Sequence, residues 1–300
     1  MHNRTLYLSP AHLNKSSKSQ GSNEQNTWNN RIEHLNPDVE SFILTAFELA
    51  LCQSNGKPFM YDDGDIRSLH FDERMLQSAM RVQEPDALVL GYTRAMMGFL
   101  LFNSAPEHIL MIGLGGGSMI KYCYRHLPHT CLTVLEIDAD VIALRDQFMI
   151  PADDRRLQVI HADAIDYIAH EDQKFDVILL DGFNKDGVVP ELNSQNFYGA
   201  CQRILNPRGI LVANLWSEAE DLTILKSRLH LEFDYRVWSV RSIDSHNLLL
   251  FSFNSPLNVP ISHSLMRHAV QLDHYFKLGL PNFVKILHAT TNDGPHEYQI

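Results

Sequence analysis

Positive charge is in short supply. The 300-residue chain carries 25 Lys and Arg against 36 Asp and Glu, a formal net charge of −11 and a pI near 5.8. A protein of that balance has no general attraction for the nucleic-acid backbone, so no nucleic-acid partner is expected. Long apolar runs are missing as well, none reaching the roughly 18 residues of a membrane-spanning helix. The N-terminus shows no basic segment followed by an apolar core. Neither a membrane span nor a secretory signal peptide is expected.

Cysteine is equally scarce. Cys52, Cys123, Cys131 and Cys201 are never spaced as C-x-x-C, and buried reduced thiols in a cytoplasmic protein are the expectation. Histidine is plentiful, but no H-E-x-x-H or similar ligand spacing occurs. His126, His129 and His161 therefore read as surface or capping groups, and no metal is expected. The absence of G-x-S-x-G and of a Walker A sequence removes two common nucleophile and phosphate sites.

What is present suits a globular protein with a sizeable core: 45% hydrophobic residues and 20% charged. The chain is organised around His108 to Asp138. A short apolar run, Ile109 to Ile112, reads as a buried strand. It is followed by Gly113, Gly115, Gly116 and Gly117, a helical pattern from Ser118, and a second apolar strand ending near Glu136. Strand, glycine turn, helix and strand, with an acid about 20 residues past the glycines, is the nucleoside-binding unit of doubly wound α/β folds.

On either side the organisation is readable. Residues 1–36 form a polar arm expected to be disordered, with Leu6 to Leu8 as a possible short strand. Residues 37–104 are expected to hold a small β-rich domain and a linker helix. Its hairpin lies between Pro58–Tyr61 and Ile66–Phe71, on the turn Asp62-Asp63-Gly64-Asp65. Arg74 to Leu101 mixes helical and loop character, with a helix over Tyr92 to Leu101. Residues 105–256 alternate strand and helix, and 257–300 form a helical extension. Five strands in helix-linked alternation and two joined by a short turn predict an α/β fold: a Rossmann-like, seven-stranded, mostly parallel sheet with helices on both faces and one antiparallel edge.

In such sheets ligands bind beyond the carboxyl ends of the strands. Glu136, Asp163 and Asp181 each follow an apolar strand and should converge there with the glycine loop. Glu136 would take ribose hydroxyls and Asp163 the exocyclic amine of adenine, leaving Asp181 to face the reacting centre. Trp216, just past the fifth strand, either lines an acceptor pocket or packs in the core.

Several motifs in this region are shared with one family. The glycine loop, VLEID at Val134–Asp138, HADA at His161–Ala164, FDVILLD at Phe175–Asp181 and NFY at Asn196–Tyr198 resemble the spermidine synthase, or polyamine aminopropyltransferase, family. Phe71-Asp72, Gln77-Ser78 and Tyr92 are similar to that family's donor-side lid. The chain looks most like a divergent bacterial branch that shares G-L-G-G-G-S and the D-G-F-x-x-D-G-x-x-P pattern from Asp181 to Pro190. The resemblance implies a β-rich N-terminal domain, a Rossmann-like domain of the methyltransferase type, and commonly a homodimer. It implies transfer of an aminopropyl group from decarboxylated S-adenosylmethionine to a small amine such as putrescine, with Asp181 orienting and deprotonating that amine. Donor contacts would fall to Gly113, Gly115, Gly117, Glu136, Asp163, Ala164 and Gln77, and acceptor contacts to Tyr92, Asn184 and Asp186.

Departures from the family keep two other readings open. Gly116 stands where the family's loop has an aspartate, Asn184 replaces a second aspartate, and Tyr92-Thr93-Arg94 replaces Y-H-E. Negative charge is thereby lost where a cationic donor tail and a diamine would be held. Without the loop acid, ordinary S-adenosylmethionine would not be repelled, and Arg94 would be placed to pair with its carboxylate. Methyl transfer is thus one rival. A non-catalytic nucleoside-binding protein is the other.

Overall fold

The structure, a computed structural model, describes residues 37–72, 76–184, 187–216, 221–242, 247–256 and 263–292. The polar arm, Leu6 to Leu8 and Asp186 lie outside the described residues.

The first element corrects an expectation. Residues from Ser41 onward read as short apolar runs suited to strands, but helix α1 spans Pro37–Ser54. Ala46, Glu48, Leu49, Ala50 and Leu51 are strong helix formers, and no turn residue interrupts them. The helix stops where Asn55 and Gly56 adopt φ of 52° and 80°, left-handed values that close a helix. Phe47 then packs against Phe59, Tyr61 and His70 with ring centroids 5.7, 5.4 and 4.9 Å away.

Those rings belong to a three-stranded antiparallel sheet, β1 (Phe59–Asp62), β2 (Ile66–His70) and β3 (Leu76–Arg81). Its hairpin forms as its turn residues dictate: Asp62 accepts from the Gly64 amide and Asp63 from those of Asp65 and Ile66. Strand β3 falls where helix and loop were expected. Ser78, Ala79 and Met80 are buried in succession, so both faces are covered and the alternation that marks a strand disappears.

Helix α2 (Gly91–Met96) continues as a tighter turn over Met97–Leu101, and buries Met96, Phe99 and Leu100 completely. The βα series follows: β4 (His108–Ile112), α3 (Ser118–His126), β5 (Cys131–Glu136), α4 (Ala139–Ala143), β6 (Leu157–His161), α5 (Ala164–His170) and β7 (Phe175–Leu180). A two-residue hairpin pair, β8 (Phe183–Asn184) and β9 (Gly187–Val188), leads to α6 (Gln195–Ile204), whose N-cap Ser194 accepts from the Phe197 amide. Then come β10 (Leu205–Trp216), α7 (Leu222–Glu232), β11 (Val237–Arg241), β12 (Asn247–Phe253), α8 (His263–Phe276) and α9 (Leu280–Asn292). The apolar pattern predicts a helix over Ala139 to Phe148, but α4 is half that long, because the chain turns after Ala143 and Met149 takes a φ of 54°.

The large sheet has seven strands in the order β11-β12-β10-β7-β4-β5-β6. Strands β6, β5, β4, β7 and β10 run parallel, and β12 is antiparallel to both β10 and β11. The antiparallel strand is therefore not the edge, as the sequence suggested, but the strand next to it. The connection through α7 carries β11 one position outward, and the short return from β11 can only fill the gap by running the opposite way.

Alternating side chains of these strands point to opposite faces. Ile109, Met111, Val134, Val177, Leu179, Val212 and Phe251 share one core with α3, α8, α9 and the small sheet's Ile66, Leu69, Ala79 and Met80. Leu110, Ile112, Leu135, Ile178, Leu180, Leu211 and Leu250 form the other with α5, α6 and α7. Coverage of both faces explains the almost unbroken apolar run of β7. Of the four thiols, Cys123 and Cys201 are buried, Cys131 half-buried and Cys52 exposed, so the expectation of burial fails for Cys52. Among the described residues no helix is long and apolar enough to cross a membrane.

Candidate active site

The site forms where β4, β5 and β7 end side by side. The Gly113 amide donates to Leu135 O and the Asp181 amide to Ile112 O, each at 2.9 Å, so the ladder runs on past the strands and holds the glycine loop between Glu136 and Asp181. Gly113 has φ 98°, and a Cβ there would lie 2.4 Å from the Asp181 carbonyl oxygen. Only glycine lets these two strand ends approach.

The other loop glycines serve different ends. At Gly117 (φ 65°), the N-cap of α3, a Cβ would meet Ile150 at 2.4 Å. Its requirement is packing beneath the loop. At Gly116 a Cβ would come within 2.8 Å of Ser78 Oγ and 2.9 Å of Phe148. Phe148 is fully buried, so the volume an aspartate would need at that point is filled by the protein itself. Beneath Phe148 lies Lys121 on α3, whose Nζ donates to Phe148 O at 2.7 Å and contacts Met80 Sδ at 2.9 Å. Burial pushes this amine down to about 7.

Glu136, buried at the end of β5, accepts from the Leu114 amide through Oε2 (2.9 Å) and from the Asp138 amide through Oε1 (2.8 Å). Each carboxylate oxygen has a further lone pair, so the group both fastens the loop and can accept from ribose hydroxyls. Asp181 Oδ1 accepts from Asn214 Nδ2 at 2.8 Å and Oδ2 from Tyr92 OH at 3.3 Å. Asn214 Oδ1 accepts in turn from Asn247 Nδ2 at 2.9 Å. Burial pushes the Asp181 carboxyl up from its ordinary value, and the two hydrogen bonds pull against that rise.

Gln77, Tyr92, Gly113, Gly115, Glu136 and Asp181 line one crevice between the small sheet and the large one, together with Ser78, Ser118, Phe183, Asn214, Trp216 and Asn247. The Gln77 Nε2 is buried without a hydrogen-bond partner among the described residues, as a donor waiting for a ligand's acceptor would be. Gly117, Asp163 and Ala164 do not line the crevice. Asp163 stands two residues past β6, beside Glu136's strand, but its carboxylate caps α5 by accepting from the Ile165 amide at 2.8 Å. Ala164 is the first residue of that helix. The Asn184 side chain and Asp186 lie outside the described residues. Asn214 and Asn247 were missed from the sequence, although an amide inside the apolar run Ile210–Trp216, one strand from Asp181, is the kind of signal that marks them.

Arg94 also departs from its expected place. Its guanidinium donates to Leu88 O and Val89 O at 2.9 and 2.8 Å, and it borders a separate pocket with Arg241 and α9. It does not line the Asp181 crevice, so the geometry withdraws its proposed pairing with a donor carboxylate. Among the described residues no three metal-ligating side chains gather.

The chain is similar to known proteins in both sequence and fold. The family described as spermine/spermidine synthase domain matches residues 89–233. A polyamine aminopropyltransferase of Chromobacterium violaceum is 35% identical over 230 residues, covering 76% of this chain and 88% of that protein. Among solved structures, a probable spermidine synthase from Corynebacterium glutamicum is similar with a TM-score of 0.59 at 20% identity, covering 71% of this chain and 83% of that one. Human methyltransferase-like protein 13, in complex with SAH, is similar with a TM-score of 0.58 at 24% identity, covering 63% and 93%. These two likenesses speak to fold alone, and one fold hosts more than one chemistry. The sequence identity, spread over most of the bacterial relative's length, goes further: the chain belongs to the spermine/spermidine synthase family.

Proposed function

We propose that the crevice binds decarboxylated S-adenosylmethionine and transfers its aminopropyl group to a polyamine-type amine, releasing methylthioadenosine. The observation that carries this reading is the setting of Asp181. Its carboxylate faces a crevice shared with the glycine loop and Glu136, and is held by two neutral donors, Tyr92 and Asn214. It is oriented without being neutralised, as a base for an amine must be.

The acceptor nitrogen's lone pair would attack the aminopropyl carbon bonded to the sulfonium sulfur. The new C–N bond forms as the C–S bond breaks, its electron pair going to sulfur, and Asp181 takes the proton released by nitrogen. Glu136, Gln77 and the loop backbone would hold the nucleoside, and Tyr92 and Asn214 keep the carboxylate turned toward the amine. Methyl transfer retains support only from Gly116, which leaves the loop without an acid.

The test is turnover with decarboxylated S-adenosylmethionine and putrescine. Methylthioadenosine and an amine longer by one aminopropyl unit are the expected products. No methylthioadenosine, or a methylated amine formed from S-adenosylmethionine, would overturn the reading.

A further inference from the structure

Two asparagines stand at the crevice end of the β10–β12 strand pair, beside the proposed base. Asn214 on β10 and Asn247 on β12 are 4% and 6% exposed. The register pairs Trp216 with Asn247 and Asn214 with Leu249, which makes the asparagines diagonal neighbours on one face, within reach of one another. Buried amides in such a place are unfavourable unless satisfied. Here they form a directed chain, Asn247 Nδ2 to Asn214 Oδ1 and Asn214 Nδ2 to Asp181 Oδ1.

We propose that Asn247 is a positioning residue for the transfer: by donating to the Asn214 carbonyl, it fixes which end of the Asn214 amide faces Asp181. A primary amide has a donor end and an acceptor end of nearly equal size. With the carbonyl tied to Asn247, the NH2 is directed at Asp181 and favours the ionised carboxylate. With that tie removed, Asn214 can turn its carbonyl to Asp181, where it favours the protonated acid and stops it accepting a proton from the amine. Tyr92 on α2 and Glu136 on β5 are the other titratable groups of the described crevice.

This inference rests on the aminopropyl-transfer reading, and kcat against pH tests it, with decarboxylated S-adenosylmethionine and putrescine as substrates. In Asn247→Leu the acidic limb should move up by about one pH unit, the size of a lost hydrogen bond to a charged group, with kcat recovering above it. Asn247→Asp, of the same size as asparagine, should move the limb further in the same direction. Its carboxylate claims the Asn214 NH2 and adds negative charge near Asp181. Affinity for methylthioadenosine should stay at the wild-type value in both. A limb that stays in place in Asn247→Asp, whether kcat is unchanged or lowered equally at every pH, would overturn the role, and that variant decides the matter even if Asn247→Leu does not fold. An inactive wild-type protein would instead remove the transfer reading on which the role depends.

Discussion

At the donor end of the crevice the protein works with its backbone: a left-handed Gly113, amides of Leu114 and Asp138 clasping Glu136, and strand ends that meet because one Cβ is absent. At the acceptor end it works with side chains brought from far apart, Tyr92 on α2, Asp181 after β7, Asn214 on β10 and Asn247 on β12. The first kind of site is fixed by local chain geometry and follows from the fold. The second exists only when four distant segments pack correctly, and there a family member can change its chemistry without changing its frame.

That contrast can be broken experimentally. Asp181→Asn keeps the shape and both neighbours but removes the base. It should lower kcat by about 10²- to 10⁴-fold, the usual contribution of a positioned base, and leave affinity for methylthioadenosine intact in calorimetry. Gly113→Ala strikes the hinge between the two ends, where a methyl would meet the Asp181 carbonyl and the residue would keep an unfavourable φ. A stability loss of about 2–4 kcal/mol in urea unfolding is expected, with donor affinity and turnover both reduced.

Lys121→Met probes the footing of the donor end. In the folded protein burial depresses this amine to about 7, well below its value of about 10.4 in an unfolded chain. Between those values the unfolded state binds the extra proton, so Lys121 makes stability rise with pH by at most about 1.4 kcal/mol per pH unit, a rise opposed above about pH 8.5 by the buried Cys123 and Cys201 thiols, which burial pushes up. Urea unfolding of the methionine variant should lack that rise. Tyr92→Phe is expected to have the smallest effect. The lost hydroxyl had been both orienting the Asp181 carboxylate and lowering its pKa, so kcat should fall a few-fold at every pH and its acidic limb should move to higher pH.

The same division governs what was legible in the sequence. The glycine loop, Glu136 and Asp181 were readable because each sits in or directly after a strand whose apolar run identifies it. The core strands were readable for that reason too. Helix α1 and strand β3 were not: the first lies in an apolar run that suits helix or strand alike, and the second is covered on both faces. Gly116 was read as the place of a lost acid, and that Ser78 and Phe148 also fill the space beside it is a fact of packing the sequence does not show. Arg94 was set against a donor carboxylate because it stands where the family's Y-H-E segment has its acid, yet on a helix it points nearly opposite to Tyr92, two residues away. Asn214 and Asn247 went unread because a diagonal pairing across β10 and β12 requires the register, which periodicity alone does not supply.

The most direct test of the account is a calorimetric titration of methylthioadenosine into wild-type protein, Glu136→Ala and Asp181→Asn side by side. Binding should weaken at least tenfold in Glu136→Ala, equivalent to about 1.4 kcal/mol, and remain at the wild-type value in Asp181→Asn. Equal affinities in all three, or a loss confined to Asp181→Asn, would contradict the assignment of a backbone-built donor end and a side-chain-built acceptor end.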